Sequence, residues 1–258
     1  MNKMRNNISA QTSGTLTKRE ALFVIPQKLQ ILSGSALKVI AVMSMLSDHI
    51  AYLFIDPKAY VIVSAFGKEL TLYWLMRFIG RMAFPIFAFL MVAGIRYTHS
   101  RLRYGLNLCV FALVSEVPWD LLVYGKWMAF EKQNVFFTLL LGYVAICLYE
   151  KFHGRFLLQA GILAGLFAVA VFLHADYGYT GYVFILLIYA LQNHRFIQAL
   201  VAASGLLPGG FQPVLAYLPL MLYNGKRGFI HGNGLKYAFY AFYPFHMLAL
   251  FLIRMYLR

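Results

Sequence analysis

The stretch SALKVIAVMSMLSDHIAYLF, Ser35 to Phe54, decides the fold. It has the roughly 20 residues that a helix needs to cross about 30 Å of hydrocarbon, yet it carries Asp48 and His49 in its second half. An acid and an imidazole in hydrocarbon cost on the order of several kcal/mol, so such groups face a protein interior or a wet cavity and mark function. Further apolar runs carry groups of the same kind: Arg77 and Arg81, Glu116 and Asp120, Asn134, Asp176 and His246. The sequence therefore predicts an all-α, polytopic transmembrane helical bundle with a charged interior. Composition agrees, with 61% of residues hydrophobic and 12% charged.

Candidate helices cover 35–55, 70–95, 104–124, 134–150, 156–174, 179–192, 196–208, 212–224 and 235–255, about nine in all. The sixth to eighth are short and read as tilted, broken or re-entrant. Residues 1–34 are polar and basic and read as a disordered cytoplasmic tail; 35–258 form one membrane domain. No signal peptide is expected, since the first apolar run starts late, is long and is charged. With the N-terminus inside, 15 of the 23 Lys and Arg fall in inner segments, as the positive-inside rule requires. Arg254 and Arg258 fit that scheme poorly. The reading is a multi-pass protein of the bacterial inner membrane.

The net charge of +14 could point to nucleic acid, but the cations sit in short gaps between apolar runs, where they set topology and meet lipid headgroups. Membrane lipids are the expected partners and nucleic acid is not. Cys109 and Cys147 lack a paired spacing, and no His or Cys pattern suits a metal.

Asp48-His49 is the leading catalytic candidate, because an imidazole can take and return a proton near neutral pH. Neighbours on a helix point about 100° apart, so this Asp need not orient this His. Arg77 and Arg81 share a helix face, as do Glu116 and Asp120. The simplest arrangement pairs the two arginines with those two carboxylates; the alternative is an arginine clamp for an anionic group or a developing oxyanion. Pro85 and Pro118 interrupt these helices, and Pro244 kinks the last one two residues before His246, a second acid/base candidate. Asn134 and Thr138, one turn apart, read as an N-cap and a back-bonded hydroxyl. Asp176 opens a glycine-containing turn, where it caps a helix or holds substrate.

Six stretches in order resemble the TraX family, membrane proteins linked to N-terminal acetylation of conjugative pilin. They are Leu37-Lys38 with Ser47-Asp48-His49-Ile50, Arg77-x-x-Gly80-Arg81-x-Ala-Phe-Pro-Ile-Phe87, Ser115-Glu116-x-Pro118-x-Asp120, Asn134-x-x-Phe-Thr138, Ala175-Asp-Tyr-Gly178-x-x-Gly181 and Phe242-Tyr-Pro-x-His246. The family looks like a branch of the acyltransferase type 3 group. The resemblance implies an acyltransferase-3-like fold, cytoplasmic acetyl-CoA as co-substrate without a metal, and an amine or hydroxyl acceptor at the outer side, such as a pilin-like N-terminus or another surface molecule. It maps the acid/base residue to His49 with Asp48 beside it, and the closing motif to Tyr243, Pro244 and His246. The competing classes are a proton-coupled small-molecule transporter and a non-enzymatic membrane partner in surface-appendage assembly.

Overall fold

The computed structural model describes residues 26–65, 68–204, 212–230 and 232–257. Among the described residues, the regular elements are helices apart from one pair of short strands. The helices are α1 (Gly34–Phe54), α2 (Leu72–Gly80), α3 (Ala83–Tyr97), α4 (Arg101–Tyr124), α5 (Val135–Lys151), α6 (Phe156–Phe172), α7 (Gly178–Ala190), α8 (Arg195–Ala203), α9 (Tyr217–Met221) and α10 (Gly232–Tyr256). Helical segments fall within each of the intervals that hydropathy predicts, without matching their bounds or their number. Four are long and apolar enough to cross a membrane: α1, α2 with α3, α4, and α10 from Gly234. The expected disorder of residues 1–34 falls, up to residue 25, outside the described residues, as does the end of the segment expected at 196–208.

The outside of the bundle is apolar where a water-soluble protein would be charged. On α4, Leu102, Leu106, Val110, Leu113 and Val117 recur every three or four residues and are all exposed. That spacing is one helical face, and a continuous exposed stripe of this kind suits hydrocarbon rather than water. The core on the other side joins Leu37 and Ala41 of α1, Ile86 of α3, Ile146 of α5, Ile185 of α7 and Met247 of α10.

Three features depart from the sequence reading. Two antiparallel strands, β1 (Val61–Ala65) and β2 (Lys68–Thr71), pair with one another, and hydropathy assigns residues 70 and 71 of the second to a helix. Thr71 then caps α2, accepting from Trp74 N. Second, the expected long helix over 70–95 is broken at Arg81–Met82, just before Pro85. Proline has no N–H and disrupts the preceding turn, and α1 braces the break: Ser44 Oγ donates to the oxygens of Ile79 (2.6 Å), which also accepts from Met82 N, and Gly80 (3.1 Å). Third, Pro118 and Pro244 lie inside helices that continue past them.

Ser33 caps α1 through Ala36 N, and the chain before it is pinned to the 222–227 turn. Leu32 N donates to Leu222 O, Asn224 N to Leu32 O, and Gly34 N to Lys226 O. Ile230 N donates to Ser35 Oγ at one end, and His49 meets His246 at the other. Helices α1 and α10 therefore run side by side in the same direction. The two ends of the bundle differ in charge. Among the described residues, the end where α1 starts holds eleven Lys and Arg against one carboxylate, Glu150; the other end holds seven of each sign.

Candidate functional site

At the end where α1 finishes lies a cavity of about 220 Å³, lined by polar groups from α1, α2, the α2–α3 break, and the turns before α5 and α7. Asp48 is its anchor. Its Oδ2 accepts from Arg77 Nη1 at 2.5 Å, and its Oδ1 lies 3.9 Å from Arg81 Nε. The three side chains are only 15–24% exposed, so each charge is offset by the others rather than by water. Arg77 also lies over the Tyr52 ring, 5.5 Å from its centroid. Gly80 makes this possible. A Cβ there would come within 2.3 Å of the Asp48 Cβ, so only glycine lets α2 approach α1 closely enough to seat both arginines on one acid.

The expected pairing of Arg77 and Arg81 with Glu116 and Asp120 is therefore corrected. Both arginines face Asp48 on α1. Glu116 instead holds Asn134, accepting through Oε2 from its backbone N at 3.2 Å and from its side-chain Nδ2. Asp120 accepts from Ala129 N at 2.8 Å and so shapes the loop before α5. Asn134 is the N-cap that its position suggested, accepting from Phe136 N. Thr138 does not bond back along its own helix. It donates across to Asp176 O. Asp176 holds Lys132 Nζ at 2.8 Å, and backbone bonds between Gln133 and residues 174 and 176 clamp the two turns together.

His49 turns away from Asp48 toward the last helix. Its Nδ1 lies 2.7 Å from His246 Nε2, with the rings stacked at 7° and centroids 5.0 Å apart. His246 Nδ1 lies 2.9 Å from Phe242 O. A carbonyl oxygen only accepts, so Nδ1 of His246 carries the proton and its Nε2 has the lone pair. With both rings neutral, His49 Nδ1 must donate to that lone pair, which leaves His49 Nε2 unprotonated. The orientation of one imidazole thus sets the tautomer of the other, as a backbone carbonyl bonded to one ring nitrogen does for many functional histidines. His49 lines the cavity and His246 stands behind it.

Of the residues singled out from sequence, Asp48, His49, Arg77, Arg81, Asp176 and Tyr243 line the cavity; Glu116, Asp120, Asn134, Thr138 and His246 surround it. Sequence reasoning missed Lys132 and Tyr177, which also line it. Tyr177 sits at φ 63°, a left-handed conformation uncommon for a bulky residue. It stacks on Phe84 at 4.0 Å and shares the cavity wall with Arg81. That backbone signature leaves no trace in hydropathy. Among the described residues, no three His, Cys, Asp or Glu side chains converge as metal ligands would.

No solved structure matches this chain. A protein of Dichelobacter nodosus described as probable fimbrial assembly protein FimC, serogroup H1, is 27% identical over 259 residues, covering 88% of this chain and 97% of that one. The family model described as TraX protein matches residues 33–254, which take in the whole cavity and the His49–His246 pair. The chain belongs to the TraX family.

Proposed function

We propose that this protein is a multi-pass membrane acyltransferase, of about nine helices in an acyltransferase-3-like arrangement, that moves an acetyl group from acetyl-CoA to an amine or hydroxyl at the His49 cavity. The observation that carries this reading is the chain from Phe242 O through His246 to His49, which leaves a lone pair at Nε2 on a ring lining the cavity. In the transfer, the acceptor nitrogen or oxygen bonds to the thioester carbonyl carbon while its proton passes to His49 Nε2. The C–S bond then breaks, and the proton returns to the leaving thiolate, so His49 ends as it began. Arg81, farther from Asp48 than Arg77 is, is the cation available to the charge growing on the carbonyl oxygen. His246 is a positioning residue.

The excess of cations at the α1 start supports a cytoplasmic N-terminus and a cavity opening outward. The protein belongs, on this reading, in the bacterial inner membrane, with a pilin-like N-terminus or another surface molecule as acceptor. Purified protein in lipid nanodiscs, given acetyl-labelled acetyl-CoA and a short amine-bearing peptide, should transfer label to the peptide. No transfer to peptide or hydroxyl acceptors by active-fraction protein would falsify the proposal. The name of the Dichelobacter relative favours a second reading, an assembly partner without chemistry. In that case His49→Ala leaves fimbriation of cells unchanged and no acetyl mark exists to be lost.

A further inference from the structure

A second cavity, about 180 Å³, opens at the basic end between α3, α8 and the turn at 223–225. It lies across α3 from the first: Phe87 lines the His49 cavity and Phe89 the second, and two residues turn a helix by about 200°. Two guanidinium groups, Arg96 and Arg195, line it, and no carboxylate is among its described lining. Both are held by neutral acceptors. Arg96 Nη2 donates to Asn193 Oδ1 at 2.9 Å, and Arg195 Nη1 to Gln30 Oε1 at 3.2 Å. Arg195 also donates to Tyr223 O and lies over the Tyr223 ring, while its buried Nε has no hydrogen-bond partner.

Among the described residues, the surroundings supply no counter-charge. Glu150, the one acid described at this end, is taken by Arg101 at 2.5 Å and by the Tyr189 hydroxyl at 2.8 Å. Two uncompensated guanidiniums converging on one cavity call for an anion, and their planar donor forks match the oxygens of phosphate. Cations that merely set topology have no need of a recess, whereas Arg195 is drawn into one and shaped by Tyr223.

We propose that this cavity is a phosphate-binding site, taking the phosphate or diphosphate of a soluble ligand or the headgroup phosphate of an anionic lipid. The proposal stands apart from the chemistry at His49, because it rests on a different cavity and is read by binding alone.

Two measurements test it on the full-length protein. Titration calorimetry with pyrophosphate, in nanodiscs of phosphatidylcholine only, reads the soluble source. Native mass spectrometry of lipid retained from phosphatidylglycerol–phosphatidylcholine mixtures reads the lipid source. Arg96→Gln should weaken the binding at least about tenfold, the loss of one charge-assisted contact, while Lys126→Gln at the opposite end leaves it unchanged. Saturable pyrophosphate uptake assigns a soluble ligand; selective, Arg96-dependent phosphatidylglycerol retention without it assigns a lipid. Arg195→Gln also removes contacts to Gln30 and Tyr223 and so risks unfolding this end. Arg96 leans on one exposed asparagine side chain, so its variant keeps the test decisive. Binding of neither probe, or binding untouched by Arg96→Gln, overturns the site.

Discussion

A single lone pair, on Nε2 of His49, is what the proposed chemistry needs, and two residues behind it decide whether it is there. His49→Ala removes the titratable group and one hydrogen bond. It should insert and accumulate nearly as wild type, yet transfer acetyl at least about a hundredfold more slowly, within the range general acid–base groups contribute. The steady-state rate with labelled acetyl-CoA checks this, and transfer within threefold of wild type sinks the role. His246→Ala takes away only the acceptor that orients His49, so its loss should be smaller, with an altered pH–rate profile. His246→Gln, which restores an acceptor, should recover part of it; a deficit identical in both variants would mean His246 only packs. Asp48→Asn leaves two arginines facing an amide in a mostly dry site. Loss of one partner in such a pair costs about 3–5 kcal/mol, toward the lower figure here because the side chains are 15–24% exposed. Glu116→Gln keeps an oxygen for Asn134 and should be mild. Thermal unfolding in detergent compares the two, and the opposite order would return the arginines to Glu116 and Asp120.

Elements explain why that pairing was misread. Arg77 with Arg81 and Glu116 with Asp120 share spacing, number and complementary charge, so periodicity makes them natural partners. Spacing reports which residues share a face but not which helix that face meets. What brings α2 against α1 is Ser44, spanning the broken turn, and Gly80, yielding room for Asp48. A serine and a glycine in apolar runs are among the least conspicuous residues in such a sequence. The long apolar periodic runs were legible because burial in hydrocarbon demands them. The strand pair β1–β2 was not, because Val61, Ile62, Val63 and Leu70 are exposed and answer to no such pressure. Gly80→Ala should therefore cost about 1–3 kcal/mol through forced separation and abolish transfer together with stability. Gly161→Ala on α6, where an added methyl meets nothing within 4 Å, should be neutral or slightly stabilising in the same unfolding assay.

At the scale of the whole molecule, the unequal ends make orientation measurable. A cysteine replacing Lys126 should react with a membrane-impermeant thiol reagent in intact cells, in a background where Cys109 and Cys147 are replaced. One replacing Lys226 should react only after permeabilisation. The reverse pattern would turn the His49 cavity inward and remove the outer acceptor from the proposal.

The pairing of α1 with α10 also bears on biogenesis. His49 and His246 stand 197 residues apart in the chain, and synthesis at about 5–20 residues per second separates their emergence by roughly 10–40 s. Until α10 settles beside α1, the imidazole on the nascent protein has no partner and no fixed tautomer. On the proposed reading, the tautomer that leaves Nε2 free is thus held in no partially inserted intermediate and is fixed only with the last helix. If the protein transfers acyl groups as proposed, it acylates neighbours more slowly while it is still being made, and full turnover doubles as a report that assembly is complete.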